Sequence, residues 1–138
     1  MISIILNAAK AAKVSGTLLL AICTHESGLK NVTVPHDGGS PTYGVCQVKL
    51  GTARQLGFTG TVLELLQPEV NAKYAARYLA YQQSRYGDFN WCKLSAAYNS
   101  GSYNASQKMP GHPRNLKYVH NVQKQLPVEF HRKMVCAQ

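Results

Sequence analysis

Thr17-Leu18-Leu19-Leu20-Ala21-Ile22-Cys23-Thr24-His25-Glu26-Ser27-Gly28 is the stretch on which the fold turns. Its apolar residues recur at helical spacing, so a helix over 17–27 is expected, with Gly28 placed to end it. Leu19, Ile22, Cys23 and Glu26 then share one face by i+3 and i+4 spacing. A carboxylate that continues an apolar stripe should be partly buried. Burial disfavours its charged form, as does the negative end of the helix, so a raised pKa is expected at Glu26. The plainer alternative is an exposed Glu at a frayed helix end.

Upstream, Ile2, Ile4, Ile5, Ala8, Ala9 and Ala12 give a first helix over 2–13, broken at Val14-Ser15-Gly16. Downstream, Asn31, Pro35, Asp37, Gly38, Gly39 and Pro41 make 30–42 a loop, followed by a short segment from Tyr43 to Val48. Thr52–Leu56 reads as a brief helix, and Thr61-x-x-Glu64 is a capping-box pattern before Leu65-Leu66. Pro68 opens the longest helix, to about Tyr86, with a stripe of Val70, Tyr74, Tyr78 and Tyr81 broadened by Ala75 and Leu79. Trp91, Leu94, Ala97 and Tyr98 form another helical face, stopped near Gly101. After a loop over 102–114, residues 115–126 carry Tyr118, Val119, Val122 and Leu126 at helical spacing, ended by Pro127. Strand signals are weak throughout. The expected fold is mainly α, in one domain over 1–138.

The 138 residues suit one hydrophobic core, and 45% of them are apolar, which needs no stapling. Fifteen Lys and Arg against six Asp and Glu give a net charge of +9. Such a surface favours polyanions, whether nucleic acid, anionic lipid or wall polymers, without choosing among them. Arg77, Arg85, Lys117, Lys124, Arg132 and Lys133 form no known nucleic-acid motif, so no nucleic-acid partner is expected. The His131-Arg132-Lys133 tail is expected to be a solvated terminus. Cys23, Cys46, Cys92 and Cys136 have no Cys-x-x-Cys spacing, and free thiols are favoured over a disulfide framework. Lys10 and Lys13 before Leu18–Ile22 imitate a leader peptide, but the run is too short to span a membrane and leads straight into His25-Glu26-Ser27. Neither a leader nor an integral membrane segment is expected, and a monomer is.

As candidates for a general acid, most of the six acidic residues have ordinary explanations. Glu64 fits the capping box, Glu69 follows Pro68 in a first helical turn, Asp88 sits in a Gly-Asp turn, and Glu129 lies in the basic tail. Glu26 and Asp37 remain, and Asp37 before Gly38-Gly39 is preferably a turn residue.

Glu26-Ser27-Gly28 resembles the Glu-Ser motif of soluble lytic transglycosylases and goose-type lysozymes. Tyr43-Gly44-Val45-Cys46-Gln47-Val48 is similar to their Gly-x-x-Gln motif, with Cys46 where the family usually has Met. Ala97-Tyr98-Asn99-Ser100-Gly101 resembles their Ala-Tyr-Asn-x-Gly motif, and Asn115-Leu116-Lys117-Tyr118-Val119 their late Tyr motif. His25 has no counterpart in the pattern. Four motifs in order across most of the chain make the resemblance fairly specific.

The resemblance implies a lysozyme-like fold, no cofactor or metal, and a peptidoglycan glycan strand as substrate. It implies Glu26 as the single catalytic acid, then base, giving 1,6-anhydro-N-acetylmuramic acid ends. Ser27 and Gln47 would hydrogen-bond near the acetamido group or the acid, Asn99 would contact sugar or hold the cleft, and Tyr118 would orient or polarise Glu26, unless it packs in the core. Gly44 would permit close backbone approach, and Tyr98 would line the site or pack in the core. The short length resembles a stand-alone phage enzyme, held in the infected cytoplasm until lysis or carried in a virion, and acting on periplasmic peptidoglycan. If Asp37 faced Glu26 it could assist a water, and the enzyme would be a goose-type lysozyme-like muramidase. Three rivals stand beside this. One is a wall peptidase with Cys46 as nucleophile and His112 or His120 as base. The second is a zinc enzyme using His25, His36, Asp37 or the cysteines, although Leu29 spoils a His-Glu-x-x-His motif. The third is a non-catalytic envelope-binding module.

Overall fold

The computed structural model describes residues 1–36 and 39–136. Its elements in chain order are α1 (Ile2–Ala12), α2 (Gly16–Ser27), β1 (Thr33–Val34), β2 (Thr42–Tyr43), α3 (Leu50–Gln55), α4 (Val62–Leu65), α5 (Pro68–Tyr86), α6 (Trp91–Ser100), α7 (Leu116–Gln125) and a 3-10 helix (Val128–Lys133). The chain divides into two compact units, Met1–Ala80 and Tyr81–Gln138, with the boundary inside α5. Among the described residues no helix is long and apolar enough to cross a membrane.

In the first unit α1 packs on α2. Ile5 and Ala9 are the buried residues of α1, and Leu18, Leu19, Ala21, Ile22 and Cys23 those of α2. At the junction Gly16 lies close to α1: a Cβ there would come within 2.9 Å of the end of the Leu6 side chain, which would have to shift. Ser15 caps α2 by accepting the Leu18 N–H at 3.1 Å, and Gly28 ends it in the left-handed region at φ 65°. Thr61 caps α4 as the sequence predicts, accepting the Glu64 N–H at 3.3 Å.

A small antiparallel sheet pairs Thr33 with Tyr43 and Val34 with Thr42, so Thr33, Val34 and Thr42 of the stretch read as loop are strand residues. Two-residue strands are too short to carry a detectable alternation. The buried face of α5 matches the predicted stripe in part. Tyr74, Ala75 and Leu79 are buried and Val70 and Tyr78 half-buried, while Tyr81 is exposed and Asn71, Ala72, Ala76 and Gln82 are buried beside them. Two of those four additions are polar, which an apolar search skips.

In the second unit α6 packs on α7. Gln82 donates to the carbonyls of Ala97 and Gly101, and Asn90 caps α6 through Lys93 N–H. Arg132 and Lys133 of the tail are exposed, as expected, but the segment around them is packed rather than loose. It forms the 3-10 helix, stacks Phe130 on Trp91, sets Lys133 over the Trp91 ring and buries Met134.

The cysteines also correct the sequence expectation. Cys23 is bonded to Cys46 and Cys92 to Cys136, leaving no free thiol. The apolar fraction could have sufficed for stability. The pairing follows instead from backbone approach, with Cα atoms 4.3 and 5.0 Å apart, which spacing along the chain does not reveal.

Candidate active site

In the first unit the site is built on the end of α2. Leu19, Ile22 and Cys23 are fully buried, and Glu26, the next residue on their face, is half-buried. The carboxyl thus sits at the margin of the core, where the helical reading of positions 17–27 puts it. His25 beside it is also half-buried, and burial pushes its imidazole below the ordinary value.

Glu26 lies between two anchor points. Three residues before it, Cys23 is joined to Cys46. One residue after it, the Ser27 hydroxyl donates to the Val45 carbonyl at 2.7 Å and accepts the Lys30 N–H at 3.1 Å. Both anchors run to the same four-residue turn, Gly44–Gln47. Tyr43 and Val48 close this turn by exchanging both backbone hydrogen bonds at 3.0 Å. Gly44 at φ 82° and Gln47 at φ 53° take left-handed conformations that let the chain reverse.

Gln47 is buried and its amide is used locally. Nε2 donates to the carbonyls of Val32 and Gly44, both at 2.9 Å, and Oε1 accepts from the Thr42 hydroxyl. His36 Nε2 lies 3.2 Å from the same hydroxyl. In this structure the Gln47 side chain ties β2, the turn and the chain before β1 together. The backbone role expected of Gly44 has a concrete cause: a Cβ there would run into the amide of Asn71, a residue the sequence reading does not single out.

Cys46 cannot serve as the nucleophile of a peptidase, because its sulfur is in the disulfide. That pairing also accounts for Cys where the resemblance leads one to expect Met. Asp37 lies outside the described residues. Among the described residues no three His, Cys, Asp or Glu side chains are grouped to hold a metal ion.

In the second unit Tyr98 is buried on α6, and Tyr118 is half-buried on α7. Asn99 is exposed at the last turn of α6, where its Oδ1 accepts from Asn115 Nδ2 at 2.9 Å. Asn115 also donates to the Ala96 carbonyl and the Ser100 hydroxyl, and so couples the motif ending at Gly101 to the one that opens α7. Asn115 belongs to the late motif, but nothing in the sequence marks it as the residue that makes this link.

The family model described as the transglycosylase SLT domain matches residues 3–120. The chain belongs to this family. The SLT chain is also similar in fold to the 70 kDa soluble lytic transglycosylase of Escherichia coli, with a TM-score of 0.63 and 22% identity over 96% of its own length. It spans only 20% of that larger protein. Among curated proteins, none matches it. The mainly α, lysozyme-like architecture expected from the sequence is the one this SLT chain adopts.

Proposed function

We propose that this SLT chain is a peptidoglycan lytic transglycosylase that cleaves the β-1,4 bond from N-acetylmuramic acid to N-acetylglucosamine. Glu26 protonates the bridging oxygen, and the N-acetylglucosamine side leaves as its C4 hydroxyl. The acetamido oxygen of the muramic sugar bonds to C1 and holds the positive charge. Glu26, now a carboxylate, takes the proton of the C6 hydroxyl as O6 bonds to C1 and the acetamido oxygen departs. The product is a 1,6-anhydro end, and no water is consumed.

The observation that carries this reading is the placement of Glu26, half-buried between two anchors that join α2 to the Gly44–Gln47 turn. The other described acids have separate surroundings: Glu64 belongs to the α4 cap, Glu69 to the first turn of α5, and Glu129 to that of the 3-10 helix, while Asp88 is exposed beyond α5. Action on the periplasmic side of the envelope agrees with two disulfides, which form and persist in oxidising compartments. Delivery by a phage, through release at lysis or within a virion, is the route proposed.

The test is mass spectrometry of muropeptides released from purified sacculi. Wild-type protein is expected to release anhydro ends. Glu26→Gln, with an unchanged circular dichroism spectrum, should lower the rate by roughly 100-fold or more. Reducing ends would show hydrolysis and overturn the transglycosylase assignment. Full activity in Glu26→Gln would remove Glu26 from the chemistry.

A further inference from the structure

Asn71 is completely buried in the first unit, near the start of α5, beside the buried Ala72, Tyr74 and Ala75. Its amide is fully used. Oδ1 accepts the Cys46 N–H at 2.9 Å, and Nδ2 donates to the carbonyls of Tyr43 at 2.7 Å and Leu65 at 3.0 Å. The Gly44 backbone lies against the same amide. A Cβ at Gly44 would collide with Nδ2 and Cγ and approach Oδ1 to 2.9 Å.

Burying an amide costs free energy that only its hydrogen bonds recover, so the bonds indicate what it is kept for. The Cys46 N–H needs a partner, because a buried donor left unpaired is costly. The Tyr43 carbonyl does not need one, since it already accepts the Val48 N–H at 3.0 Å. The extra bond adds no missing satisfaction. It fixes where the turn sits relative to α5. From α2, the Cys23 sulfur and the Ser27 hydroxyl hold Cys46 and Val45 of the same turn.

We propose that Asn71 is a positioning residue for the transglycosylase reaction. It sets the Gly44–Gln47 turn, and through the turn's two anchors on α2 it sets the place of Glu26. This rests on the assignment of the acid step to Glu26 made above. Asn71 itself touches neither substrate nor acid in the proposal.

Asn71→Ala and Asn71→Ser are compared with wild type for kcat and KM on purified glycan strands, at a temperature where circular dichroism shows each variant folded. A misplaced general acid lowers the rate of the chemical step more than binding. The expected result is a kcat reduced roughly 10- to 100-fold, more in the Ala variant than in the Ser variant, with KM within about threefold of wild type. A merely structural Asn would lower the melting temperature and leave kcat of the folded protein intact. A kcat within twofold of wild type in the folded variants overturns the proposal, and so does a loss carried by KM. If neither variant folds at any temperature, Asn71 is a folding requirement and the proposal fails. Reducing ends from wild-type protein would refute the proposed transglycosylase activity, yet the kcat order of the Asn71 variants on that product would still decide the positioning role.

Discussion

Removing the Cys23–Cys46 bond with Cys23→Ala and Cys46→Ala should separate stability from activity when set against removal of Cys92–Cys136. The first bond spans 23 residues of sequence and the second 44. Loop-closure entropy assigns about 3.4 kcal/mol to the first and about 4.0 kcal/mol to the second. At roughly 4 °C per kcal/mol for a chain of this size, melting temperatures should fall by about 14 and about 16 °C. The tail pair is thus expected to cost slightly more stability. Activity should run the other way. Cys46 lies in the turn that is anchored on either side of Glu26, whereas Cys136 ties down the segment after the 3-10 helix. Below both melting points, kcat for muropeptide release should drop roughly tenfold in the Cys23/Cys46 variant and stay within twofold of wild type in the Cys92/Cys136 variant. Melts followed by circular dichroism and initial rates on sacculi are the assays. A kcat loss as large in the tail variant, or no loss in the other, would refute the idea that the first bond positions the acid.

The same region supports two further perturbations. Gly44→Ala should cost about 3 kcal/mol, from left-handed strain plus collision with Asn71, whereas Gly28→Ala, equally left-handed but with open space around it, should cost about 1 kcal/mol; denaturant titration measures both, and equal losses would contradict the close approach of Gly44 to Asn71. The His25 imidazole is held below its ordinary value of 6.5 by burial. As pH falls through 6.5 the unfolded chain takes up this proton first, so stability is full above 6.5 and declines below it until the folded ring is protonated too. The melting temperature of wild type relative to His25→Asn should therefore fall between pH 7.5 and pH 5, and a flat difference would remove His25 from the acid sensitivity of the fold.

The main helices can be read from the sequence because their signals are local. Apolar spacing predicts α1, α2, α6 and α7, and Pro68 and Tyr86 are the observed bounds of α5. The face of α2 that brings Glu26 to the edge of the core follows from the same periodicity. What stays hidden depends on contacts between distant positions. Asn71 and Gln82 are polar residues on a buried face, invisible to any search for apolar stripes, and each is explained only by backbone groups brought to it from elsewhere in its own unit. The disulfides depend on approach of Cα atoms, and an ordinary apolar fraction argues against them. The resemblance leads one to expect Gln47 to face a substrate or the acid. Its burial and its bonds to Val32, Gly44 and Thr42 arise from a turn whose geometry needs Gly44 and a left-handed Gln47, and neither requirement is written in the spacing.

Short turns are ordinarily among the first parts of a protein to exchange amide protons with water. The turn after β2 should behave in the opposite way. Its Gly44, Cys46 and Gln47 amides are given to the Val32 carbonyl, the Asn71 side chain and the Gly44 carbonyl, all within a buried segment closed by sulfur. Deuterium should reach it only when much of the first unit opens. Within the first unit this loop would be the stiff reference point against which the end of α2 is held.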